Sequence, residues 1–149
     1  RHPNVHLALQ LDLRSGFPEL LRGEAANDEV VQPTSIDGLF AVTGGACDYA
    51  SITALSKPEL GKVIKGFRES FEHIVIDAGP VLAFADALLL GQQSDVAIVA
   101  TMRDVSRVPL VVNAVERLRS AGVRVLGTVV NGVGDTGSRR VYATPVPAA

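Results

Sequence analysis

Four short runs of almost uninterrupted apolar residues limit this fold more than any other feature. Gly38 to Thr43, His73 to Asp77, Val96 to Ala100 and Val123 to Val130 have the length of strands and are separated by turn-rich or helically spaced segments. A strand that is apolar along its whole length is buried on both faces, the habit of parallel sheets covered by helices. The expected class is therefore α/β, with a mainly parallel sheet in a three-layer arrangement and helices on both faces.

The intervening segments support this. Ser56 to Phe71 opens with Ser-Lys-Pro-Glu, in which Ser56 and Glu59 can form a reciprocal cap, and Leu60, Val63, Ile64, Phe67 and Phe71 follow at helical spacing. Ser106 to Ser120 places Val108, Val111, Val112, Val115 and Leu118 on one stripe and stops at Gly122, as a crossover helix between parallel strands does. A shorter helix is expected between Phe84 and Gln93, and another from Phe17 to Arg22, ended by Gly23. Glu24 to Asp37 reads as turn-rich connection, and Gly134 to Ala149 lacks apolar periodicity and reads as a mobile tail.

A chain of 149 residues, 47% hydrophobic, is long enough for one sizeable core. One domain over residues 1–133 is expected, followed by a flexible tail over 134–149. Charged residues form 20% of the chain and the net charge is -2, which argues against nucleic acid as a partner. The longest apolar stretch, Val81 to Leu90, is too short to cross a bilayer and carries Asp86, so any membrane link is expected from another segment or chain. Cys47 stands alone, which excludes an internal disulfide and a cysteine-based zinc site and fits a reducing cytoplasm. The chain begins at Arg1 with no initiator methionine or targeting signature, and is expected to be a fragment.

Ligands of open parallel sheets bind beyond the carboxyl ends of the strands. Asp77 ends one run, Arg103 and Asp104 follow another, and Asn131 directly follows the last. Asp77 lies where a buried carboxylate needs a partner or a cation, and holding Mg²⁺ beside nucleotide phosphates is one reading. Capping the turn made by Gly79 and Pro80 is the other. The Asn131 amide can read an adenine edge with one donor and one acceptor, or make a turn with Gly132. Arg103 and Arg107 fit either phosphate contact or plain solvation. His2, His6 and His73 form no metal-ligand spacing. The motif Gly-x-x-x-x-Gly-Lys-Ser/Thr does not occur, and the pair Gly61 and Lys62 falls inside a helical stripe. Without amides to cradle phosphates, this chain is not expected to bind ATP tightly by itself.

Taken in order, these residues resemble the bacterial tyrosine autokinase domains that work with polysaccharide chain-length-determinant proteins, a deviant-Walker group of the P-loop NTPases. The resemblance runs from Arg1 to about Val133. Arg1, His2 and Pro3, then Val5 and His6, then Gly16-Phe-Pro-Glu-Leu-Leu-Arg-Gly-Glu24, are similar to segments following that family's second aspartate motif. Arg68-Glu-Ser-Phe-Glu72 is similar to the end of the helix before its third motif. Ile74-Val-Ile-Asp77-Ala-Gly-Pro80-Val-Leu82 is similar to the third motif itself, and Asp86-Ala and Val125-Leu-Gly-Thr-Val-Val-Asn131 to what lies downstream.

The resemblance implies an ATP-dependent protein-tyrosine kinase that regulates exopolysaccharide synthesis or export, with ATP and Mg²⁺ as cofactors. It implies Asp77 as catalytic and metal-holding carboxylate and Asn131 on the adenine side of the nucleotide; Arg103 joins them as a cofactor-binding candidate from its place after a strand, and Tyr142 is the candidate phosphoacceptor, with an ordinary tail residue as the other reading. A membrane activator of the chain-length-determinant type, a homo-oligomer and a place at the inner face of the cell membrane are the expected setting. The sequence departs from the family in three places. The Walker A loop and second aspartate motif are not in this chain, the tyrosine cluster is reduced to Tyr142, and Cys47-Asp-Tyr-Ala-Ser51 replaces a Pro-Asn-Pro segment. A partitioning or division-site ATPase of the same group, and an inactive regulatory partner with the same fold, are the alternatives.

Overall fold

The computed structural model describes residues 5–12, 15–45 and 49–134, and the tail with Tyr142 lies outside them, as does Cys47. The chain divides into two compact units, Arg1–Asp77 and Ala78–Ala149.

Helices are the main regular elements of the first unit. Its described elements are α1 (Val5–Ala8), α2 (Phe17–Leu21), α3 (Asn27–Val30), β1 (Gln32–Pro33), β2 (Phe40–Ala41), α4 (Tyr49–Ala54) and α5 (Glu59–Ser70). The helical stripe of α5 behaves as its spacing predicts, burying Leu60, Ile64 and Phe67. Phe67 joins Leu20 of α2 and Val30 of α3 in a core flanked by Phe17, Val42, Val63 and Phe71. The Phe71 ring sits 5.7 Å from Phe40 and 6.3 Å from Phe67, both tilted, as aromatic quadrupoles prefer. Helix α2 is the hub, packing on α3, α4 and α5, and it ends at Gly23 as expected, with the Gly23 amide on Leu20 and that of Glu24 on Glu19.

Three expectations for this unit need correction. The run from Gly38 to Thr43 is not a parallel strand: only Phe40 and Ala41 pair, antiparallel, with Gln32 and Pro33. Pro33 has no N–H to extend the ladder, and the left-handed Gly38 (φ 74) turns the chain just before the pair. The capping box at Ser56 is absent as well. Pro58 precedes α5 without a side-chain cap, and the amides of Ser56 and Lys57 turn back to Thr53 and Ala54 at the end of α4. A proline costs nothing there, because first-turn amides have no helical acceptor. Finally, the run from His73 to Asp77 lies in neither sheet, and Val75 is 95% exposed. An apolar run becomes a strand only when a neighbour answers its amides and carbonyls.

The second unit carries the α/β pattern. It contains α6 (Asp86–Gln92), β3 (Ala97–Met102), α7 (Val108–Ser120) and β4 (Val125–Asn131). β3 and β4 pair in parallel, from Ala97 opposite Val125 to Met102 opposite Asn131, with one irregularity after Ala97. The crossover helix α7 buries Ala114 and Leu118 and packs on both strands. Its end explains why the sequence stops there. Gly122 is left-handed (φ 78), its amide reaches Arg119 at 2.9 Å, and the Val123 amide reaches Leu118 at 3.0 Å. Leu118 and Val123 are both buried, the apolar contact that accompanies this cap. Val123 also lies against Gly91 of α6, where a Cβ would come within 3.1 Å of it.

The strands were expected to be buried on both faces, and here they are not. Along β3 half-buried and exposed residues alternate, with Ile98 57% and Met102 46% exposed, and on β4 Leu126, Val129 and Val130 are exposed too. The second covering layer is not among the described residues.

Two substitutions test this account. Gly122→Ala is expected to destabilise the second unit by about 1 kcal/mol through its positive φ, measured by amide hydrogen exchange along α7 and β4; unchanged protection would count against the cap. Phe67→Ala is expected to cost about 3–5 kcal/mol, read from urea denaturation. A loss below about 1 kcal/mol would mean that Phe67 is not central to its core.

Candidate functional site

Parallel pairing brings the carboxyl ends of β3 and β4 to the same edge, so the residues leaving both strands are neighbours without any further device. The last bond of the ladder runs from the Arg103 amide to the Asn131 carbonyl at 2.9 Å. Two of the residues singled out in the sequence, Arg103 and Asn131, are therefore adjacent, and both are exposed. The guanidinium of Arg103 lies 3.3 Å from the Asp104 carboxylate, a pair open to solvent that contributes little stability and leaves Arg103 free to turn to another anion. Asp104 itself takes a left-handed backbone (φ 60) in the tight turn that leads into α7.

This edge offers a planar cation with five donors, an amide with a donor and an acceptor, and a small turn between them. Such a set fits an anionic group beside a flat heterocycle. Among the described residues, no group of three or more His, Cys, Asp or Glu is arranged to hold a metal ion.

Asp77 belongs to the first unit and is its last residue. Its carboxylate is exposed rather than buried at a strand end, which corrects the premise that burial alone demands a partner for it. The reason is the missing strand pairing around His73 to Asp77. Tyr142 lies outside the described residues.

Sequence reasoning missed two features. The first is Ser106, whose hydroxyl oxygen accepts the Met102 amide at 3.0 Å while its own amide reaches the Met102 carbonyl at 2.9 Å. The only signal for it was a serine four residues beyond a strand end. The second is a charged cluster at α2. Glu19 accepts the Gly16 amide at 2.7 Å, holding the start of the helix, and Arg22 bonds Glu24 at 2.8 Å and Glu19 at 3.0 Å. The hydrogen bond to Glu24, then that to Glu19, raises the Arg22 pKa above its usual value, so it stays charged throughout the working range. Beside Gly16 in space, the Thr43 side chain is buried and among the described residues its hydroxyl has no partner, while its carbonyl accepts the Phe17 amide at 2.9 Å.

No family model matches the chain. It is 27% identical over 133 residues to the tyrosine-protein kinase ptk of Acinetobacter johnsonii, an alignment spanning 89% of this chain and 18% of that protein. It is also 27% identical over 117 residues to the tyrosine-protein kinase CpsD of Streptococcus pneumoniae serotype 4, covering 78% of this chain and 52% of CpsD. Among solved structures, the VpsO kinase domain superposes with a TM-score of 0.83 at 26% identity, over 90% of this chain and 66% of that one. The kinase domain of the Escherichia coli tyrosine kinase ETK, at 20% identity, shares the fold with a TM-score of 0.86 over 98% of this chain and 57% of its own. This chain thus spans about a fifth to a half of the length of these two relatives. The chain is a relative of the bacterial tyrosine-protein kinases, and over most of its length it has the fold of their kinase domains.

Proposed function

We propose that this chain is part of an ATP-dependent protein-tyrosine autokinase acting in exopolysaccharide or capsule synthesis or export, and that it supplies one wall of the Mg²⁺-ATP site. The observation that supports this reading is the 2.9 Å bond between the Arg103 amide and the Asn131 carbonyl, because it brings the backbones of these two residues side by side at one carboxyl edge of a parallel pair. Its relatives, named as tyrosine-protein kinases, supply the reaction class.

In this reading the Asn131 amide pairs with the adenine edge, donating to a ring nitrogen and accepting from the exocyclic amine. Arg103 exchanges its loose contact with Asp104 for a phosphate oxygen, where a planar fork of donors is worth more. Asp77 holds the magnesium, directly or through water. The bound ion would neutralise charge developing on the transferred phosphoryl group, which together with positioning is most of what phosphoryl transfer asks of a protein. A phosphate-cradling loop is absent from the sequence, so it comes from polypeptide outside this chain. The structural neighbours, which this chain covers to 66% or less in the cases above, have room for such a segment.

Tyr142 is the phosphoacceptor offered by this chain. A membrane activator of the chain-length-determinant type and a homo-oligomer complete the proposal. The kinase domain would sit at the cytoplasmic face of the membrane through that activator or another segment, since among the described residues no helix is long and apolar enough to cross a membrane.

Titration calorimetry with ATP and Mg²⁺ tests this on three proteins: this chain, a form extended upstream, and the extended form with Asp77→Asn. The extended form is expected to bind, the short form not to bind measurably, and Asp77→Asn to weaken Mg²⁺-dependent binding by about tenfold or more. Failure of the extended form to bind would turn the reading toward a regulatory partner that keeps the fold without the chemistry.

A further inference from the structure

We propose that Ser106 is a positioning residue for the nucleotide edge: by accepting the Met102 amide, its hydroxyl fixes the turn that presents Arg103 beside Asn131. The inference rests on the reading above, that this edge takes a nucleotide.

Successive amides of a strand point to opposite sides. The Arg103 amide points to β4, where Asn131 accepts it at 2.9 Å, so the Met102 amide points away from β4. A donor at that side is answered by a further strand, by water or by a local acceptor. Ser106 is the local acceptor, at 3.0 Å. Its own amide returns to the Met102 carbonyl at 2.9 Å, and the Val105 amide reaches the same carbonyl at 3.3 Å. Met102 and Ser106 thus close a small ring, and the three residues between them, Arg103 among them, have little freedom left. The ring also holds Asp104 in its left-handed conformation, which a non-glycine residue adopts reluctantly.

The exit of the other strand is tied to the same point. Gly132 has φ 75, and a Cβ there would come within 2.8 Å of the Met102 sulfur. The positive φ favours glycine there and lets the chain leave Asn131 close beside the Met102 side chain. Both strand exits are therefore registered on Met102, by Ser106 on one side and by Gly132 on the other. Between them they set the backbone positions from which the Asn131 and Arg103 side chains leave.

The Met102–Ser106 bond is exposed, so water satisfies the amide when the hydroxyl is removed and the fold survives. What is lost is the order of the turn. A carboxamide that reads a purine edge then discriminates less well, because hydrogen-bond selectivity depends on angle as much as on distance.

The test measures affinity for Mg²⁺-ATP and Mg²⁺-GTP in the longest nucleotide-binding polypeptide that carries this chain, with Ser106→Ala, Ser106→Thr and Asn131→Ala. Ser106→Ala is expected to weaken ATP binding by about fivefold and to shrink the preference for ATP over GTP toward that of Asn131→Ala. Ser106→Thr, which keeps the hydroxyl, is expected to retain the preference. Equal weakening toward both nucleotides, or an unchanged preference in Ser106→Ala while Asn131→Ala loses it, would mark a merely structural serine and overturn the proposal. If Asn131→Ala itself leaves the preference intact, the nucleotide-edge reading fails, and the inference fails with it.

Discussion

The parallel register of β3 and β4 is the constraint on which the second unit depends. Once Met102 lies opposite Asn131, the two chain exits must leave from the same edge, the connection between the strands must travel back along the sheet, and a helix is the economical way to do so. Helix α7 fills that role with Ala114 and Leu118 turned inward, and its left-handed end at Gly122 returns the chain to the start of β4. The edge proposed for nucleotide is then a by-product of connectivity. Arg103 and Asn131 are 28 positions apart in sequence numbering, yet a single ladder bond makes them neighbours.

The first unit is stabilised differently. Its core of Leu20, Val30 and Phe67 is assembled by short helices with one long amphipathic helix laid across them, and the hydrophobic effect does most of the holding. Polar contacts there are local and specify geometry more than they add energy: Glu19 anchors the Gly16 amide, and Arg22 bridges Glu19 and Glu24. The run at His73 to Asp77 has the composition of a buried strand and the exposure of an edge segment. That mismatch, like the open face of β3 and β4, fits a chain that covers 66% and 57% of the two kinase domains it superposes on.

What could be read from sequence follows the range of the interaction that creates each feature. Helix α7 was legible because its stripe and its glycine stop are local, and it was found within two residues of its expected start. β3 and β4 were legible because each finds its partner inside the chain. The strand expected at His73 to Asp77 was not, because a strand is a property of a pair and composition describes only one member. The capping box failed at Ser56 because Pro58 allowed the helix to start later, a choice between two local solutions that differ by little energy. At the candidate site, the adjacency of Arg103 and Asn131 was legible from the rule that strand ends converge, whereas the role proposed for Asp77 rests on resemblance to a family. Ser106 stayed invisible, since a serine in a loop has many uses and only coordinates show which amide it meets.

Hydrogen–deuterium exchange of the upstream-extended polypeptide, with and without ATP and Mg²⁺, addresses the central claim most directly, because it reports on every amide near the edge at once. The account predicts that nucleotide slows exchange around residues 102–106 and 131–132 and around Asp77, and leaves the far end of α7 unchanged. Nucleotide binding that protects other segments while the exits of β3 and β4 exchange as before would place the site elsewhere and contradict it.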